Sequence, residues 1–167
     1  MEIRRARTGD VKAIRALVDT YTADRRLLSK ATVTLYESVQ EFWVAVDDDG
    51  AVLGCGALHV MWEDLAEIRT VAVDPASRGR KIGHKIVSRL LDVARELGIA
   101  RVFCLTFETR FFGSFGFTEI DGAPVPHAVY EQLLRSYDEG VAEFLDLERV
   151  KPNTLGNTRM LLRLEPA

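Results

Sequence analysis

A chain of 167 residues, 47% apolar and 28% charged, has the size and make-up of one soluble globular domain with a full core. Its net charge of −3 argues against general nucleic-acid binding, and no apolar run approaches the roughly 20 residues that a membrane helix needs. The opening MEIRRARTGD reads as a short strand rather than a signal peptide, and Cys55 and Cys104 lie in apolar strand-like runs without metal-ligand spacing, as reduced core cysteines of a cytoplasmic protein do.

Residues 2–6 read as a first strand. Thr8 is placed to cap a helix over about 9–21, with Val11, Ile14, Leu17, Val18 and Tyr21 on one face. A polar, basic connection follows over 22–31. A second helix is expected over 34–39, with Leu35 and Val39 turned inward. Strands at 42–46 and 52–62 are joined by Asp47-Asp48-Asp49-Gly50, a hairpin turn that lacks the further ligands of a calcium loop. Gly54 and Gly56 mark either a bulge or a close backbone approach.

The stretch from Leu65 to Leu97 organises the rest. Residues 68–73 are mostly apolar and β-branched, as in a strand covered on both faces. After a turn at Asp74-Pro75, Ile82, Ile86, Leu90, Ala94 and Leu97 recur at helical spacing, and Gly98 stands where a left-handed C-terminal cap belongs. Between strand and helix lies Arg78-Gly79-Arg80-Lys81-Ile82-Gly83-His84-Lys85. Backbone N–H groups at a helix N-terminus attract phosphate, and the four cations here add to that field. The turn is therefore either a solvated basic loop or a diphosphate cradle. It has neither the three glycines of a dinucleotide fingerprint nor the Gly-Lys-Ser/Thr of a nucleotide-triphosphatase loop.

Residues 101–107 form another apolar strand, and a short helix over 109–115 leads to Gly116-Phe117. Strand, helix, parallel strand makes a right-handed crossover. Pro124 and Pro126 can start a helix carrying Val129, Leu133 and Leu134, whereas 137–147 fits a helix or an irregular excursion. Residues 157–164 close the sheet. His59, His84 and His127 are scattered and offer no metal site.

The basic turn resembles motif A of the GNAT superfamily of N-acetyltransferases, Arg/Gln-x-x-Gly-x-Gly/Ala. Arg78 and Gly83 match its ends, and Lys81 replaces its middle glycine. The order of elements is similar to that family over nearly the whole chain. The resemblance implies an α/β GNAT fold in a single domain, 1–167: a mixed, mostly antiparallel sheet, splayed between two central parallel strands and flanked by helices. Within the superfamily, residues 41–45, 54–58, 66–73 and 157–162 are most similar to the acetyltransferase domains of N-acetylglutamate synthases.

That likeness implies direct transfer from acetyl-CoA, as co-substrate, to a primary amine, without a metal. The thioester would lie between the parting ends of strands 65–73 and 101–107. The cofactor-binding set would be Val71, Ala72 and Val73 along the pantetheine arm, Arg78, Gly79, Arg80, Lys81, Ile82, Gly83 and His84 around the diphosphate, and Thr106 and Phe112. Glu67 matches the strand glutamate that serves as base through water in several branches. Its competing reading is an ion pair with Arg69, two residues on and on the same sheet face. Phe112 stands where many members carry a tyrosine acid, so the leaving thiolate takes its proton from water or another group. For an amino-acid substrate, Thr70 N–H and the backbone near Leu28 would meet the α-carboxylate, and Lys30, Arg69, Thr158 and Arg159 are the other substrate-binding candidates. Each has an ordinary surface role as its alternative.

The function implied is an amino-acid N-acetyltransferase that makes N-acetylglutamate for arginine biosynthesis in the cytoplasm, with glutamine as the alternative amino-acid substrate. The competing readings are a GNAT acting on another small amine or a protein N-terminus, and an acyl-CoA-binding module without turnover. A small-molecule partner is expected, with no nucleic acid and no membrane. Residues 119–155 would serve as a homodimer arm, a substrate lid or a connection.

Overall fold

One cluster of buried apolar side chains gathers Val11, Ile14, Val18, Leu35, Phe42 and Val44, and another gathers Leu65, Phe103, Val141, Phe144 and Leu161. They belong to two compact units, the first comprising Met1–His59 and Ile68–Leu97, the second Val60–Glu67 and the chain from Gly98 onward. The computed structural model describes residues 1–22 and 30–165.

The first unit begins with β1 (Glu2–Arg5) and α1 (Val11–Thr22). A 3-10 turn, Thr8–Asp10, stands where the sequence suggested a Thr8 cap. The Asp10 carboxylate closes it, accepting the Arg7 N–H at 2.7 Å and the Arg4 guanidinium at 2.8 and 3.1 Å. That ion pair holds the Asp10 carboxyl below the usual carboxylate range. α2 (Thr32–Glu37) starts two residues earlier than expected and gives way to a 3-10 turn, Val39–Glu41. β2 (Phe42–Val46) and β3 (Val52–Trp62) have the predicted bounds. The Asp47 side chain organises their hairpin by accepting the N–H groups of Asp49 and Ala51 at 2.9 and 2.8 Å.

β4 (Leu65–Val73) and α3 (Ile82–Glu96) follow the sequence reading closely. α3 buries Ile82, Ile86, Val87, Leu90 and Ala94, each worth about 1.5–3 kcal/mol for the larger side chains. The stripe ends at Ala94: Leu97 is exposed, and Gly98 takes the left-handed φ of +84° that ends the helix. Gly54 and Gly56 mark a close approach, the second of the two alternatives. A Cβ at Gly54 would lie 2.9 Å from Ile82, and one at Gly56 would lie 2.7 Å from Ile86. The glycines let α3 sit directly on the strand backbone.

The second unit adds β5 (Arg101–Thr106), which pairs in parallel with β4 over Leu65–Arg101, Ala66–Val102 and Glu67–Phe103. α4 (Thr109–Gly113) leads into β6 (Thr118–Glu119), a short strand that carries no apolar alternation and that the sequence reading missed. α5 (His127–Leu133) buries Leu133 and leaves Leu134 exposed. The ambiguous stretch 137–147 contains α6 (Glu139–Phe144), capped by the Asp138 side chain accepting Val141 N–H at 3.1 Å. α7 (Lys151–Thr154) and β7 (Thr158–Arg163) complete the chain. Strand order is β1-β2-β3-β4-β5-β7-β6, a mixed sheet in which β4–β5 is parallel and the β1–β2, β2–β3, β5–β7 and β6–β7 pairs are antiparallel. This is the mixed, mostly antiparallel sheet with a parallel pair that the sequence implied.

Candidate active site

In the first unit, the chain leaves β4 through Asp74, whose side chain accepts Ala76 N–H at 3.2 Å and sets a 3-10 turn, Pro75–Ser77. The turn that follows is exposed from Arg78 to Lys81, and His84 and Lys85 are exposed on the first turn of α3. Gly79 has a φ of +85° and Lys81 a φ of +58°. Two left-handed residues bracketing Arg80 curl the backbone into a concave turn, and such turns gather N–H groups toward an anion. The first rung of α3 runs from Lys85 N–H to Lys81 O at 3.0 Å, so the helix N-terminus opens into this turn. Ile82 is buried, which leaves its backbone as the part able to meet a ligand, while Gly83 is half-buried beside it. The position where motif A carries its middle glycine is left-handed, and that explains the family preference; Lys81 occupies it with its side chain in solvent. A diphosphate fits the donor set and the four cations Arg78, Arg80, Lys81 and Lys85.

On the same unit's part of β4, Arg69, Val71 and Val73 are half-buried and Ala72 is buried. The Val73 carbonyl accepts the Tyr21 hydroxyl, which gives Tyr21 a structural partner. Thr70 has a φ of +57° inside a strand, a conformation that costs a β-branched residue about 1–3 kcal/mol. Thr70 is buried, and its carbonyl accepts the Cys55 Sγ–H at 3.5 Å. Burial pushes the Cys55 thiol up to about 12, in keeping with a core cysteine. Lys30 is half-buried, and its carbonyl accepts the Arg15 guanidinium. Leu28 lies outside the described residues.

In the second unit, Glu67 is 3% exposed on β4. The first turn of α6 lies against its carboxylate: a Cβ built on Gly140 would stand 2.0 Å from Glu67 Oε2 and 3.0 Å from Asp138 Oδ2. Cys104 on β5 is buried, and its thiol is raised well above the ordinary value, first by burial and then by the charge of Glu67. Glu143, on the same short helix, is buried as well. None of these neighbours carries a sequence signature; Gly140 and Asp138 are far from Glu67 along the chain, and only the packing of α6 brings them in. Among the described residues, no group of three or more His, Cys, Asp or Glu side chains could hold a metal ion.

Thr106 and Thr158 face each other across the β5–β7 ladder. Thr106 is buried and its Oγ1 accepts Glu108 N–H at 2.8 Å. Phe112 is buried edge-on against Phe111 and Phe117, with ring centroids 5.1 and 5.4 Å apart. Arg159 is taken up structurally. Its Nε donates to Glu143 O at 3.1 Å and its Nη2 to Gly122 O at 2.8 Å and to Phe144 O, with the guanidinium above the Phe103 ring. Burial lowers its pKa, opposed by the charges of Asp146 and Asp121. Arg159 thus clamps α6 and the chain near Gly122 to β7.

Comparison with known proteins gives these features a context. The sequence pattern of the Acetyltransferase (GNAT) family matches residues 12–117. The amino-acid acetyltransferase of Mycobacterium tuberculosis is 66% identical over 164 residues, 97% of this chain and 94% of that one. A Mycobacterium tuberculosis crystal structure in complex with CoA and NLQ superposes with a TM-score of 0.95 at 65% identity, covering 99% of this chain and 100% of that chain. The N-acetylglutamate synthase of Neisseria gonorrhoeae, complexed with CoA and N-acetyl-glutamate, superposes with a TM-score of 0.79 at 25% identity; 98% of this chain and 35% of that one are covered.

Proposed function

Because this chain belongs to the GNAT acetyltransferase family, we propose that it transfers the acetyl group of acetyl-CoA directly to the α-amine of an amino acid, L-glutamate or L-glutamine. The observation that carries this reading is the likeness to an amino-acid acetyltransferase along nearly the full length of both chains. The N-acetyl-glutamate bound by the gonococcal synthase supports glutamate. We place the product in cytoplasmic arginine biosynthesis and treat the whole chain as one working acetyltransferase domain.

Acetyl-CoA supplies the activated thioester. The backbone from Gly79 to His84 holds its diphosphate, with Arg78, Arg80, Lys81 and Lys85 around it, and the backbone of Val71 and Val73 pairs with the pantetheine arm. Thr70 N–H receives the substrate α-carboxylate. With Arg159 engaged by three carbonyls, Lys30 and Arg69 are the cations we assign to the substrate's carboxylates. An ammonium has no lone pair, so Glu67 removes its proton, through water, before the amine attacks the thioester carbonyl. Phe112 has no proton to donate, and the departing thiolate takes one from water.

The test is thiol release from acetyl-CoA across the twenty amino acids. Glutamate or glutamine should lead the panel. A flat panel, or a polyamine or peptide N-terminus that outruns every amino acid, would overturn the reading.

A further inference from the structure

We propose that Gly140 is a positioning residue for Glu67. The first turn of α6 carries no side chain at that point, so that the Glu67 carboxylate can occupy the space a Cβ would fill. The inference rests on the reading of Glu67 as the base, and it gives the 139–144 helix a part in that chemistry.

A Cβ added at Gly140 would meet Glu67 Oε2 at 2.0 Å and Glu67 Cδ at 2.9 Å, closer than real Cβ atoms come to any neighbour. Backbone conformation is not the reason for the glycine. Gly140 is helical and has no left-handed φ, so alanine would suit its backbone and would favour the helix. The Glu67 carboxylate is what excludes a side chain here. The helix itself has little room to retreat. Val141, Phe144 and Leu145 are packed in the core with Leu65 and Phe103, Asp138 caps the first turn, and Arg159 binds the carbonyls of Glu143 and Phe144 at the last. A methyl group at 140 would therefore displace the carboxylate, which is the movable end of its side chain. On α6 the Asp138 carboxylate borders the same space, its Oδ2 3.0 Å from the Cβ built at Gly140. A displaced carboxylate leaves the position from which it can take a proton.

The test is Gly140→Ala, made in the wild-type chain and again in Glu67→Ala. In the wild-type chain, kcat should fall on the order of tenfold to a hundredfold, as for other misplaced catalytic groups. The KM for acetyl-CoA should stay within about twofold, because ground-state binding of that substrate is untouched. The melting temperature should fall in the wild-type chain and rise in Glu67→Ala, where helix propensity acts without the clash. A glycine kept only for packing of the helix would shift both backgrounds alike. Wild-type kcat in Gly140→Ala, an equal melting shift in both backgrounds, or failure to fold in both would overturn the proposal. Glu67→Gln separates the two readings. Full activity in that variant removes the base, and the positioning role with it, even where the melting reversal persists. An inactive Glu67→Gln without the reversal removes the role of Gly140 alone.

Discussion

The turn that opens α3 and the wall around Glu67, the two parts of the proposed site, are built by opposite means. The turn is exposed, and it presents backbone N–H groups shaped by Gly79 and Lys81 in the left-handed region, with cations free to swing in solvent. Its identity rests on conformation, so a lysine can replace a glycine in the motif without removing a donor. The wall is the reverse. Glu67 is buried, its value lies in one carboxylate, and its surroundings come from residues far away in sequence. A site made of backbone tolerates side-chain drift, whereas a site made of one buried side chain tolerates almost none.

The sharpest break of that contrast is Glu67→Gln, which keeps the shape and removes the base we propose. We expect kcat at neutral pH to fall by about 100-fold or more. Raising the pH should restore part of it, because the substrate amine then loses its proton without help; a pH-independent deficit would count against the assignment. Gly83→Glu tests the other side by placing a bulky anion where we place the diphosphate. Acetyl-CoA binding, read by calorimetry, should weaken by at least about tenfold, the scale of losing a charge-assisted contact and adding repulsion. Unchanged affinity would move the diphosphate elsewhere.

Arg159→Met separates structure from substrate binding. Three carbonyls lose their donor, and stability should drop by about 2 kcal/mol in urea unfolding. Amide exchange should rise near Gly122 and over 143–147 and stay unchanged over 78–85. Loss of glutamate affinity without loss of stability would instead return Arg159 to the substrate site. The smallest effect is expected from Lys81→Gly. Relief of the left-handed strain should stabilise the fold by a few tenths to about 1 kcal/mol, with acetyl-CoA affinity unchanged. A clear loss of affinity would show that the lysine ammonium, and not only the turn, grips the diphosphate.

Much of the α3 region is legible in the sequence alone. Hydrophobic spacing placed Ile82, Ile86, Leu90 and Ala94 on one face, Gly98 marked the helix end, and the Asp74-Pro75 turn marked its beginning. Each is a local signal, written within a few residues of the feature it specifies. Thr8 shows the same rule in reverse: the cap oxygen comes from Asp10, which an ion pair with Arg4 on β1 orients. Glu67 stands out in the sequence because a carboxylate in an apolar strand is out of place. Its neighbours were invisible, since nothing in the order of residues says that Gly140 will meet it.

By itself, the sequence determined every strand but β6, the long helix, the basic turn and the family, because these follow from period, turn chemistry and motif spacing. The tertiary structure decided that Arg159 clamps α6, that Phe112 is enclosed by other rings, and that a missing side chain at Gly140 makes room for Glu67. Those outcomes depend on which surfaces meet when the chain condenses, and packing at contact distance has no periodicity along the chain to announce it.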